Sequence, residues 1–116
     1  VVEDTEVNLE IAQALLEQAG FIVLTAKNGV EAINVLDVSQ VDLVLMDVQM
    51  PVMDGYEATR KLRQDARYDK LPILAMTANA MVGDRELCVE AGMNDHLAKP
   101  IDLEKLLVKL NFWLQQ

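Results

Sequence analysis

Three stretches of this chain carry continuous apolar or β-branched runs: FIVLTA (21–26), VDLVLMD (41–47, apolar without a break from Leu43 to Met46) and LPILAMT (71–77). A strand with one face in water alternates apolar and polar residues. A run without alternation is covered on both faces, which is the mark of a parallel sheet sandwiched between helices. Helical patterns separate the runs. Val7, Ile11, Leu15 and Ala19 recur every four residues and predict an amphipathic helix stopped by Gly20, as a C′ glycine stops one. Asn28 with Glu31 three residues on reads as a capped start for a helix to about Leu36. Asp54 caps the next helix, to about Gln64; VGDRELCVEAG (82–92) is a short one stopped by Gly92. Asp102 caps a last helix whose apolar face is Leu103, Leu106, Leu107 and Leu110. Val1-Val2 reads as the end of a strand and DHLAKP (95–100) as a short fifth strand ended by Pro100. Five β-α units with right-handed connections make an open, doubly wound α/β domain with a five-stranded parallel sheet and five helices.

The 116 residues suffice for one domain, 1–116, with one core. No apolar run approaches the roughly 18 residues of a membrane span, so no membrane contact is expected of this domain. Nor is there the basic, apolar and small-residue pattern of a signal peptide. The only cysteine, Cys88, excludes an internal disulfide and suits a reducing cytoplasm. A formal net charge of −9 argues against direct binding of nucleic acid, which needs a basic face. The chain opens on Val1 and reaches an acidic pair after two residues, as expected of a piece of a longer chain with strand one truncated at its N-terminus.

In such sheets ligands bind beyond the carboxyl ends of the strands. Those ends carry Glu3-Asp4 after the first strand, Asp47 after the third, Thr77 after the fourth and Lys99 after the fifth. Three carboxylates brought together repel, and one would hold a proton unless a cation intervened. Oxygen ligands suit Mg²⁺, with Mn²⁺ as a substitute. A carboxylate nucleophile, a divalent cation, a lysine and a hydroxyl form the set that phosphoryl transfer needs. An acid at the end of a buried run is then explained: Asp47 stands there to be phosphorylated.

Taken singly, these residues have ordinary roles. Asp4 or Thr5 suffices to cap the first helix, and Asp54 and Asp102 cap theirs. The six Met read as core filler. Tyr56, Phe112 and Trp113 read as packing, and Cys88 as inert. The joint occurrence at four strand ends of one edge carries the functional reading.

The segments VVED, LVLMDVQMPVMDGYEATRKLR, ILAMTANAM and DHLAKPI resemble the receiver domain of two-component response regulators, over the whole chain except the start of strand one. The resemblance implies the flavodoxin-like strand order 2-1-3-4-5. It implies a receiver that catalyses its own Mg²⁺-dependent phosphorylation and slow dephosphorylation. Asp47 is then the phosphoacceptor, Asp4 a direct Mg²⁺ ligand with Asp47, and the backbone carbonyl of Gln49 a third ligand. Glu3 stands where many relatives have Asp, and its longer arm suits a contact through water. Thr77 is the switch hydroxyl, and Lys99, with a cis bond to Pro100, contacts the phosphoryl group. His96 occupies the aromatic switch position, a departure from Tyr or Phe. Gln49 and Asn79 flank the path of the attacking water and tune dephosphorylation. MDVQMPVMDGYEATR and NDHLAKPID look most like receivers of hybrid sensor histidine kinases. That implies a kinase phosphohistidine as donor, a histidine phosphotransfer domain as acceptor, and a cytoplasmic domain of a parent that is itself a candidate for membrane anchoring.

Three rivals differ in testable ways. An aspartyl phosphatase of the haloacid dehalogenase type needs a second Asp where this chain has Gln49. A flavodoxin needs a hydroxyl-rich phosphate loop where this chain has EDTE (3–6). An inactive receiver-like docking module has no need of Asp47, Thr77 and Lys99 together.

Overall fold

The computed structural model describes residues 1–48, 50, 52–78, 82–99 and 101–115. Its elements are α1 (Glu6–Gln18), α2 (Gly29–Val38), β1 (Val44–Asp47), α3 (Gly55–Arg63), a 3-10 turn (Ala66–Tyr68), β2 (Ile73–Thr77), α4 (Val82–Ala91), β3 (Asp95–Ala98) and α5 (Leu103–Leu114). The three strands form a parallel sheet in the order β1-β2-β3, with Asp47 opposite Met76 and Thr77 opposite Ala98. Parallel bridges from Val2 to Ala26 and from Val2 to Met46 extend the sheet past β1. The spatial order of the five segments is therefore the expected 2-1-3-4-5.

The expected first and second strands are each reduced to a bridge. Val1-Val2 offers two residues to pair, and these are fully used. The Val2 N–H donates to the Leu45 carbonyl at 2.8 Å, the Asp47 N–H to the Val2 carbonyl at 2.9 Å and the Glu3 N–H to the Ala26 carbonyl at 3.0 Å. The Val1 amino group donates to the Leu24 carbonyl at 2.8 Å. Residues 21–25 form no ladder, and the FIVLTA segment pairs only through Ala26. Ile22 is 97% exposed, and an apolar cleft of about 470 Å³ opens between Phe21, Val23, Leu43 and Leu45.

The strands divide their side chains between two cores, as runs covered on both faces must. Val44, Met46, Ile73 and Ala75 join Ala32, Leu36, Ala58, Leu62 and Cys88 on the side of α2, α3 and α4. Leu45, Leu74, Met76 and Leu97 join Leu16, Leu106 and Leu110 on the side of α1 and α5. Met46, Met50, Met53, Met76 and Met93 are buried filler; Met81 lies outside the described residues.

The caps form where expected. The Asn28 side chain accepts the Glu31 N–H at 2.9 Å, Asp54 that of Glu57 at 2.8 Å and Asp102 that of Glu104 at 2.9 Å. Gly20 and Gly92 end their helices at φ 96° and 102°, conformations that cost glycine little. Thr5 is the N-cap of α1, but its side chain makes no cap bond.

One helical face departs from expectation. The stripe of Val7 and Ile11 faces outward, 63% and 54% exposed, and α1 buries Leu9, Ala12 and Leu16 instead. At about 100° per residue, Leu9, Ala12 and Leu16 fall within roughly 60° of one another, a tight seam. Residues four apart drift by about 40° each step, and Val7 and Ile11 end on the opposite side.

Candidate functional site

The edge of the sheet formed by the strands' carboxyl ends collects the expected residues. Asp47 is the last residue of β1, Thr77 the last of β2, and Lys99 follows β3 directly. Glu3 and Asp4 follow the Val2 bridge. Glu3 and Asp47 are 2% and 3% exposed and Thr77 is equally buried, whereas Asp4 is exposed. Glu3, Asp4 and Asp47 each bring a carboxylate oxygen to within 4.8 Å of the other two. The Lys99 N–H donates to the Thr77 carbonyl at 2.8 Å, so the lysine is fixed at its backbone by the neighbouring strand.

The Lys99 ammonium bridges two of these acids. Its Nζ lies 2.8 Å from Glu3 Oε2 and 3.1 Å from Asp47 Oδ2. Burial alone would lower its pKa, but the hydrogen bonds it donates to Glu3 and Asp47 outweigh burial and hold it above the ordinary lysine value. Counting charges, three carboxylates and one ammonium leave the site two negative charges in excess. A divalent cation would balance that excess, and the all-oxygen donor set fits Mg²⁺.

The loop after Asp47 is held by close backbone contacts that the residue types foretell only in part. A Cβ on Gly55 would stand 2.3 Å from the Asp47 carbonyl oxygen, and one on Gly29 would stand 2.9 Å from Met53 Cγ. The Gly55 N–H donates to the Val48 carbonyl at 3.2 Å, and the Gly29 N–H to that of Met53 at 3.3 Å. Sequence reasoning took Gly55 only as part of a helix start; the Asp54-Gly55 pair, seven and eight residues after the strand-end acid Asp47, was the available signal. Val52, in the same loop, holds φ 69°.

Gln49, Asn79 and the Lys99–Pro100 bond lie outside the described residues. His96 is half-buried in β3, opposite Ala75, with Nδ1 3.8 Å from Asp95 Oδ1. Asp95 accepts bonds from Lys109 Nζ at 2.7 Å and Trp113 Nε1 at 3.1 Å. Burial pushes its carboxyl pKa up, but the bonds from Lys109, Trp113 and the His96 N–H outweigh burial and hold it below the ordinary aspartate value. Trp113, expected as packing alone, therefore also ties α5 to the edge strand. The apolar cleft beside Phe21 shares no residue with the acidic cluster.

With this geometry in hand, the comparisons with known proteins are specific. Residues 1–111 match the response regulator receiver domain family. The sensor histidine kinase GacS of Pseudomonas protegens is 41% identical over 115 residues, 97% of this chain and 12% of that kinase. The chain spans a similarly small part, 6%, of hybrid signal transduction histidine kinase B of Dictyostelium discoideum. The receiver domain of sensor histidine kinase PA1611 from Pseudomonas aeruginosa PAO1, solved with magnesium coordinated in its active-site cleft, is 42% identical. It superposes with a TM-score of 0.92 over 99% of this chain and 94% of that one. The receiver domain of Ssk1, co-crystallised with the histidine phosphotransfer protein Ypd1 of Saccharomyces cerevisiae, is 31% identical, with a TM-score of 0.90 over 97% of this chain and 84% of that one. These likenesses cover nearly the whole chain, fold and sequence together: this chain belongs to the response regulator receiver domain family and is a receiver domain of a two-component phosphorelay.

Proposed function

We propose that Asp47 is the phosphoacceptor and that the donor is a phosphohistidine on a histidine kinase domain. The observation that carries this reading is the Lys99 ammonium 3.1 Å from the buried Asp47 carboxylate, with Glu3 and Asp4 within 4.8 Å. A carboxylate oxygen of Asp47 attacks phosphorus. The P–N bond breaks, its electron pair stays on the imidazole nitrogen, and an acyl phosphate forms. Lys99 follows the transferring oxygens. Asp4 and Asp47 would hold Mg²⁺, with the Gln49 carbonyl as a third protein ligand. The cation neutralises charge on the phosphoryl oxygens when bound.

Thr77 then moves toward the phosphoryl group and His96 turns into the space it leaves. Gln49 and Asn79 are neutral amides, able to orient water but poor at removing its proton, so loss of phosphate is slow. A histidine phosphotransfer domain is the acceptor in turn: the Ssk1 co-crystal supports pairing of a receiver with such a protein, and the likeness to hybrid kinases supports this direction of transfer. The outward stripe of Val7 and Ile11, beside the acidic pair, offers such a partner apolar surface. No helix among the described residues is long and apolar enough to cross a membrane. The single, buried Cys88 supports a reducing compartment, the cytoplasm.

The family assignment displaces the phosphatase and flavodoxin readings. The test that separates an active receiver from a docking module is incubation with acetyl phosphate and Mg²⁺, read by intact-mass spectrometry in mild acid. One phosphoryl group is expected on the protein and none on Asp47→Asn, with Asp54→Asn labelled normally. Full labelling of Asp47→Asn would overturn the assignment.

A further inference from the structure

The two members of the acidic pair face different things. Asp4 is exposed. Glu3 is 2% exposed and turned toward Lys99. Glu3 is held along its whole length. Its N–H donates to the Ala26 carbonyl at 3.0 Å, Oε1 accepts the Thr5 N–H at 3.3 Å and Oε2 accepts Lys99 Nζ at 2.8 Å.

We propose that Glu3 is a positioning residue: it holds the Lys99 ammonium beside Asp47, and the additional methylene of glutamate over aspartate is what lets it reach. The proposal rests on Asp47 as phosphoacceptor and assigns Glu3 a task other than water-mediated metal binding.

The physical case starts from the lysine. Its four-carbon stem carries about 2 kcal/mol of rotamer entropy, so an ammonium tied to nothing but Asp47 would sample solvent or close fully onto the nucleophile. Either state is unproductive. An ammonium has three donors. Here one is engaged by Glu3 and one by Asp47. When Asp47 becomes an acyl phosphate, Lys99 exchanges the carboxylate oxygen for a phosphoryl oxygen while Glu3 remains its pivot. An aspartate at position 3 would fall short by roughly 1.5 Å, one C–C bond, and lose the contact while keeping the charge. Burial of Glu3 sharpens the effect, because water is poorly placed to replace the missing carboxylate.

The experiment is NMR of the ¹⁵N-lysine-labelled chain in EDTA, following hydrogen exchange of the Lys99 ammonium. It is paired with Mg²⁺ titration and with acetyl phosphate labelling at saturating Mg²⁺. Glu3→Asp and Glu3→Gln are each expected to speed exchange at Lys99 about tenfold or more, the scale of one lost charge-assisted hydrogen bond. Glu6→Gln, which removes a nearby exposed charge, is expected to leave exchange unchanged. Glu3→Asp is also expected to slow labelling about tenfold with Mg²⁺ affinity nearly intact, whereas Asp4→Asn weakens Mg²⁺ binding at least about tenfold and leaves the Lys99 signal as it was. Should Glu3→Gln fail to fold, the conservative Glu3→Asp decides alone. Unchanged exchange at Lys99 in Glu3→Asp overturns the proposal. So does a loss of Mg²⁺ affinity in Glu3→Asp as large as in Asp4→Asn. Failure of the wild-type chain to be labelled at Asp47 would instead overturn the phosphoacceptor reading, and the metal-free exchange measurement would still decide the role of Glu3.

Discussion

A Cβ placed on Gly55 would stand 2.3 Å from the carbonyl oxygen of Asp47. The first helical residue of α3 is therefore packed against the backbone of Asp47, the proposed acceptor. Gly55→Ala is expected to push Asp47 and Val48 outward and to cost about 1–3 kcal/mol of stability by overpacking. Acetyl phosphate labelling of the folded fraction should slow as well, because the nucleophile is displaced. Urea unfolding and labelling kinetics on the same variant check both effects. Wild-type behaviour in both would mean that the loop yields without cost.

Val52 presents the reverse situation. It is β-branched, 83% exposed, and holds φ 69°, where side chains other than those of Gly, Asn or Asp are strained. Little packing is lost by shortening it. Val52→Gly and Val52→Asn are each expected to stabilise the domain by about 1 kcal/mol, read as a raised urea midpoint at unchanged slope. Destabilisation by either would show that Val52 makes a contact stronger than its strain.

The proposed switch has its own test. Beryllofluoride with Mg²⁺ is expected to shift the His96 ring and the Thr77 methyl in NMR spectra together. In Thr77→Ala, beryllofluoride should still bind at Asp47 while the His96 ring no longer responds. A His96 ring that responds in wild type and equally in Thr77→Ala would uncouple the two residues and end the proposed sequence of movements.

The architecture was legible because it depends on local pattern. Unalternating runs at Val44–Asp47 and Ile73–Thr77 had to be covered on both faces, and their side chains divide between two cores accordingly. Asn28, Asp54 and Asp102 cap their helices through bonds to residues two or three positions away, a range that sequence can express. The strand-end positions of Asp47, Thr77 and Lys99 follow from the same runs. Other features depend on how distant segments meet. The buried face of α1 could not be decided locally, since Val7 and Ile11 compete with Leu9, Ala12 and Leu16 and only the packed sheet chooses between them. The Glu3–Lys99 pair joins residues 96 positions apart. Which acid of the pair turns inward is set by the bridge that carries Val2 between Ala26 and Met46, and the composition of the pair says nothing about it. Sequence by itself determined the five helices, the three central strands, the order of the segments and the residue types at the sheet edge. Tertiary structure alone decided which carboxylate the lysine holds, because that depends on the register of three strands brought together by burial.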